Sequence, residues 1–304
     1  MPRSNRPASR ACLAALAGTV LVACATLRPD ERIVPLLGPC GFDAATLTFA
    51  GDALAQASCL LRPVGVGGRL PTAPAELPAA LAALVGRPVG ELRPRLARYL
   101  ALHHIGDAAI GGALDEPLSH ARDGDPAAPA ARYFVIHDTS TPWLGDAAAF
   151  PPDDAPALND LARFAGPEAV AHVFVDRQGR TLQGHDLRVP WRATRLETRQ
   201  VGSAARGLFL HVELAQPRRR DPAGAPGNDL LAPVPGFTDA QYAQLALLYA
   251  AASARRGDWL IPAFHAAIDE GIAGAHDDPQ HFEIARFADA LQGLCEALPD
   301  CPAR

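Results

Sequence analysis

Three apolar runs, each carrying at or near its end a side chain able to bind a metal or a proton, constrain this 304-residue chain more than any other feature. RYFVIH (132–137) is aromatic and β-branched and stops at His137. GLFLHVEL (207–214) carries Glu213 near its end, and WLIPAFH (259–265) stops at His265. Runs of this composition are of strand type. AHVFVD (171–176), RQGR and TLQGH read as a hairpin turning around Gly179. The clearest helix spans 239–256. Thr238 and Gln241 form its capping box, Phe237 and Tyr242 its hydrophobic staple, and Gly257 ends it. HFEIARFADAL (281–291) reads as a closing helix. Strands alternating with helices predict an α/β domain over roughly 126–292, with a mixed central sheet flanked by helices. Polar residues at strand ends are where such a fold builds its site, because the strand fixes them and the loop exposes them.

Upstream, residues 24–125 read as a tether and a mostly helical or irregular N-terminal extension. Residues 25–75 are rich in Pro, Gly and Ala. Residues 78–105 carry a helical stretch through Leu81, Val85, Leu92, Leu96, Leu100 and Leu102, and 121–131 is a breaker-rich loop. The chain is 49% hydrophobic, enough for a packed core. Its net charge of -5 argues against a nucleic-acid partner. All 28 basic residues are arginine. Any cation in a site must therefore be Arg, His or a metal. Arg218, Arg219 and Arg220 read as a solvated charge run.

The first residues look like an export signal. Arg3, Arg6 and Arg10 precede the apolar stretch ACLAALAGTVLVA (11–23), too short to span a membrane. Leu21-Val22-Ala23-Cys24 resembles a bacterial lipobox, which makes 1–23 a lipoprotein signal and Cys24 the lipidated residue. An ordinary signal cleaved near Ala23 or Ala25 is the alternative. Ala25 after the cysteine resembles sorting to the outer membrane of a Gram-negative cell, facing the periplasm. Export leaves Cys40, Cys59, Cys295 and Cys301 in an oxidising compartment, where an even number favours disulfides. Three pairings are possible, of which the local Cys40–Cys59 and Cys295–Cys301 are favoured. The latter would staple a tail at 293–304.

The segment from about 132 to 290 resembles the zinc-dependent N-acetylmuramoyl-L-alanine amidases of the type-2 class, relatives of the peptidoglycan recognition proteins. Five motifs carry the resemblance in order. They are Val135-Ile136-His137-Asp138-Thr139, the hairpin from Ala171-His172 to Gly179, Leu210-His211-Val212-Glu213-Leu214, Phe237-Thr238-Asp239-Ala240-Gln241-Tyr242, and the closing Asp278-Pro279 after His265. The resemblance implies one zinc ion held by His137, His265 and Asp278, with the fourth tetrahedral position left for water. It implies that Glu213 orients that water and accepts its proton. It also implies a peptidoglycan or muropeptide substrate and cleavage of the bond between N-acetylmuramic acid and L-alanine. A peptidoglycan-binding lipoprotein without turnover is the alternative. The chain is expected to act as a monomer, tethered to the membrane by its lipid.

Three departures stand out. The family lysine two residues before the ligand aspartate is His276, which would stabilise the oxyanion as an imidazolium or an N–H donor. The turn around the second histidine reads Phe264-His265-Ala266-Ala267. The family's W-H-A-G turn is Trp191-Arg192-Ala193-Thr194, where Arg192 would meet a stem-peptide carboxylate. His172 and His211 read as structural, and His103, His104, His120, His185 and His281 as non-ligands. Within AHDDPQHF (275–282), Asp277 is expected to cap the closing helix and His281 to lie in its first turn.

Overall fold

Parallel pairing of three short strands organises the molecule. In the computed structural model, which describes residues 36–225 and 228–298, β1 (Tyr133–Asp138) lies between β4 (Phe209–Leu214) and β7 (Ile261–Phe264), parallel to both. Beyond β4 comes β2 (Val173–Val175), also parallel, and then β3 (Thr181–Gln183), antiparallel to β2. The sheet order is β3-β2-β4-β1-β7. Strands β1, β4 and β7 are buried along their whole length, as expected for parallel strands covered on both faces. The mixed sheet and its flanking helices agree with the sequence reading. A separate hairpin, β5 (Arg219–Ala225) with β6 (Asn228–Leu231), stands apart from this sheet.

Side chains alternate across the sheet, and the two faces receive different cover. Phe134 points to the face packed by the helix Asp239–Arg256, meeting Tyr249 with ring centroids 5.3 Å apart. That helix has the capping box foreseen from Thr238 and Gln241, and Gly257 ends it at φ 93°. The helix Ile284–Ala297 packs against it, with Phe287 5.7 Å from Tyr249. Gly179 turns the β2–β3 hairpin at φ 78°, and an added Cβ there would lie 2.8 Å from the carbonyl oxygen of Ala240.

Tyr133 and Phe209, stacked at 5.0 Å, point to the opposite face. Residues from the N-terminal extension cover them. Phe49 meets Tyr133 edge-on at 5.2 Å, and Phe42 lies 6.2 Å from Phe209. Tyr133 Oη accepts from the backbone N–H of Phe49 and donates to Gln56 Oε1. Residues 36–125 therefore share one hydrophobic core with the rest of the described chain. A disulfide between Cys40 and Cys59 ties this cover together. Cys295 is also disulfide-bonded, while its expected partner Cys301 lies outside the described residues, as do the signal stretch 1–23 and Cys24. Among the described residues no helix is long and apolar enough to cross a membrane.

Several expectations are corrected. The helical stretch at 78–105 is two helices, Ala79–Ala82 and Leu92–Leu102. Between them Gly86 and Gly90 adopt positive φ, and Gly86 N and Val89 N donate to Trp259 O and Gly257 O instead of to a helical turn. The closing helix begins at Ile284, with Glu283 as its N-cap residue. Asp277 does not cap it, because its Oδ2 takes a hydrogen bond from Gln280 Nε2 at 2.6 Å. His281 lies before the first turn, at φ 58°, with its N–H given to Val64 O. Arg218 is not solvated but fully buried.

The shared core makes two expectations measurable. Phe42→Ala is expected to lower stability in chemical denaturation by about 3–5 kcal/mol, the range for truncating a buried aromatic. Leu102→Ala, at an exposed position, is expected to change it by less than about 0.5 kcal/mol.

Candidate metal centre

The register of β1 and β4 sets His137 directly beside Glu213. One step past the Ile136–Phe264 pair, His265 begins the short helix His265–Asp269 at the end of β7. The loop carrying Asp278 closes over both, held by the backbone N–H of Ala266, which donates to Asp278 O at 2.9 Å. His137, His265 and Asp278 each offer a ligand atom, all within 4.8 Å of one another, and all three residues are buried. The two Nδ1 atoms face each other at 2.9 Å. His265 Nδ1 lies 3.0 Å from Asp278 Oδ1, and His137 Nδ1 3.6 Å from Asp278 Oδ2. Glu213 Oε1 stands 3.9 Å from His137 Nδ1.

Charge is concentrated here at low solvent exposure. Burial, with His265 and His211 nearby, holds His137 well below the usual histidine range. Burial opposes a charge on His265 too, yet the Asp278 and Asp269 carboxylates raise it well above that range. Burial, and then Asp278 and Asp138, push Glu213 well above the carboxylate range. Burial likewise opposes ionisation of Asp278, but His265 holds it below that range. A divalent cation suits this donor set: two imidazole nitrogens whose lone pairs converge on a carboxylate, with a further carboxylate beside them. Glu213 Oε2 is buried and makes no hydrogen bond, which fits a group reserved for a reacting partner.

The groups behind the three are equally specific. Asp138 N–H donates to Asp278 Oδ2 at 3.2 Å. Asp138 Oδ2 accepts from Arg218 Nη2 at 2.6 Å and from Gln280 N at 3.2 Å, so one buried ion pair anchors both sides of the closing loop. Burial raises Asp138 to about 6, against the pull of Arg218. On the other side, His265 Nε2 lies 2.9 Å from Asp269 Oδ2. Asp269 also accepts the backbone N–H groups of Arg195 and Leu196. Carboxylates behind ligating histidines are the usual outer partners of metal sites.

His276 sits at the rim, its ring stacked on His265 at 4.6 Å. Its Nε2 accepts from Arg195 Nη2 at 3.2 Å, since a guanidinium has no acceptor. Its hydrogen is therefore on Nδ1, which lies 3.7 Å from Asp278 Oδ1. Burial and His265 lower its pKa, favouring the N–H donor form over the imidazolium. These residues, with Arg192 and Trp191, line a cavity of about 440 Å³.

His211 departs from its structural reading, since its Nδ1 meets His137 Nε2 at 3.0 Å. His172 is structural: Nδ1 accepts from His211 N–H, Nε2 donates to Val189 O, and burial pushes its pKa down to about 3. Period-two spacing from Glu213 puts His211 on the same face, a signal present in the sequence. Glu197, Arg195 and Arg218 carried no such signal, because each reaches the site from a distant segment; Asp269, four residues after His265 on one helical turn, did.

Residues 126–281, just over half of the chain, match the Amidase_2 family, described as N-acetylmuramoyl-L-alanine amidase. The chain belongs to that family, a class of peptidoglycan-directed amidases. No curated protein matches it. Among solved structures it is similar to "crystal structure of Se-Met AmpD derivative", at 20% identity and a TM-score of 0.33, over 60% of this chain and 97% of that one.

Removing one partner of the Asp138–Arg218 pair strands a buried charge. Arg218→Met is expected to cost about 3–5 kcal/mol in urea denaturation, whereas the exposed Arg220→Met pair with Asp146 is expected to cost at most about 1 kcal/mol.

Proposed function

We propose that this chain hydrolyses the amide bond between N-acetylmuramic acid and L-alanine in peptidoglycan or muropeptides, using zinc held by His137, His265 and Asp278. The observation that carries this reading is the convergence of those three ligand atoms beside Glu213, at one end of a cavity of about 440 Å³. Zinc bound there supplies Lewis-acid polarisation of a carbonyl and acidification of water. Glu213, with one oxygen free of protein partners, takes the proton from the attacking water and passes it to the departing amine of L-alanine. His276 offers its Nδ1–H towards the charge that develops on the carbonyl oxygen, and Arg195 behind it adds a fixed positive charge. Arg192, on the cavity wall, meets a carboxylate of the stem peptide.

Lipid on Cys24 would hold a monomeric enzyme on the outer membrane, facing the periplasm, where it meets the sacculus or fragments released from it. The lipobox-like Leu21-Val22-Ala23-Cys24 supports this.

The direct test incubates the purified chain with muropeptide, with and without a chelator, and follows free stem peptide by mass spectrometry. Release that depends on zinc is expected. Glu213→Gln is expected to lower kcat by about 10²–10⁴-fold while still binding zinc. His137→Ala is expected to lose both zinc and activity, and wild-type turnover in that variant would sink the reading. Zinc binding and retention on sacculi without any release would instead mark a binding protein. For the anchor, Cys24→Ser is expected to abolish incorporation of labelled palmitate and to move the protein into the soluble periplasmic fraction.

A further inference from the structure

His137 turns Nδ1 towards His265 and Asp278 and turns Nε2 the other way. Behind it stand two residues that the reaction itself does not use. His137 Nε2 meets His211 Nδ1 at 3.0 Å, and His211 Nε2 lies 3.2 Å from Glu197 Oε2. Both His211 and Glu197 are completely buried. The far end is pinned: Glu197 Oε2 also accepts from the backbone N–H groups of Ala193 and Thr194 and from the Thr194 hydroxyl, at 2.9–3.1 Å. His211 is wedged as well, its ring parallel to that of His172 at 5.6 Å.

The direction of the hydrogens follows from the ligand end. A metal-ligating Nδ1 must present a free lone pair, so the hydrogen of His137 is on Nε2. It is donated to His211 Nδ1. His211 then carries its own hydrogen on Nε2, facing the Glu197 carboxylate. The opposite order would put a hydrogen on the ligating nitrogen. As a purely structural pair the two residues are poorly arranged. His211 Nε2 and Glu197 Oε1 are buried with no well-aligned hydrogen bond, an arrangement that costs stability on its own.

We propose that His211 and Glu197 are positioning residues for the metal centre, a two-residue relay that fixes the ring orientation and tautomer of His137. The proposal rests on reading His137, His265 and Asp278 as a zinc site. It makes the segment around Thr194 to Glu197 the back wall of both imidazoles, since the N–H groups of Arg195 and Leu196 also hold Asp269 behind His265.

The test measures zinc affinity by competition with a chromophoric chelator, and the d–d absorption of the cobalt(II)-substituted protein, both without substrate. His211→Leu removes the acceptor while filling similar volume, and is expected to weaken zinc binding by about 10–100-fold and to alter the cobalt spectrum. His211→Asn keeps an acceptor oxygen near the Nδ1 position and is expected to recover most of that loss. Glu197→Gln keeps the acceptor for residues 193 and 194 but removes the charge, and is expected to lose affinity in the same direction by less. Wild-type affinity and spectrum in His211→Leu would overturn the proposal. So would equal losses in His211→Leu and His211→Asn, which would mark a packing role. If His211→Leu does not fold, Glu197→Gln decides: unchanged affinity and spectrum there overturn the proposal. A wild-type chain that binds zinc but releases no stem peptide would instead count against the amidase reading, and would leave these affinities to stand on their own.

Discussion

Everything at this site depends on the parallel register of β1 with β4 and β7. Backbone pairing places His137 level with Glu213, and the β7 register, ending at Ile136–Phe264, brings His265 in on the other side as the first residue of the next helix. No side chain has to search for its partner, because strand hydrogen bonds have already fixed the spacing. The cost is that three titratable groups enter a buried region together. Desolvation works against ionisation of each; like charges deepen the effect at His137 and Glu213, and it is reversed only where opposite charges lie close. His265, raised despite its burial, is the case in point.

The same face of the sheet serves two purposes along its length. At the start of β1 and β4, Tyr133 and Phe209 are apolar enough to demand cover, and Phe42 and Phe49 supply it. At the far end, His137 and Glu213 line the site, with His211 behind His137. Residues 36–125 are thus not a passive tether ahead of the sheet. They seal one end of the face whose other end carries the chemistry. The disulfide Cys40–Cys59 holds this cover while leaving the site end open.

Legibility in the sequence followed sequence distance. The strands, the capped helix at Asp239–Arg256 and the hairpin at Gly179 were readable because each is signalled by neighbours within a few residues. His137, Glu213, His265 and Asp278 were readable because they sit at strand ends or in an ordered motif. The supporting residues were not. Arg218 looked like part of a solvated run, yet it is buried against Asp138, 80 positions away. Glu197 reaches His211 and Asp269 reaches residues 195 and 196 through contacts that no local periodicity encodes. The closing helix starts later than its sequence pattern suggests for a local reason. His281 sits in the left-handed region at φ 58°, so no right-handed helical turn can start there.

The absence of lysine bears on how this site handles charge. A lysine beside the ligand aspartate would bring a compact, movable ammonium to the carbonyl oxygen on a four-carbon stem. Here the corresponding position holds an imidazole stacked on His265, and the permanent charge belongs to Arg195 on another segment. Arg195 is tied down at both ends, by its own N–H to Asp269 and by Nε to Gly274 O. A guanidinium so fixed cannot follow the substrate, but it need not be reorganised when charge develops, which is the condition for effective electrostatic stabilisation. The imidazole beside it, its pKa lowered by burial and by His265, takes a guanidinium N–H at Nε2. Where a lysine would be one mobile cation, this rim holds a fixed guanidinium and an imidazole seated against it, and Asp269, the carboxylate that also stands behind His265, holds the backbone of Arg195.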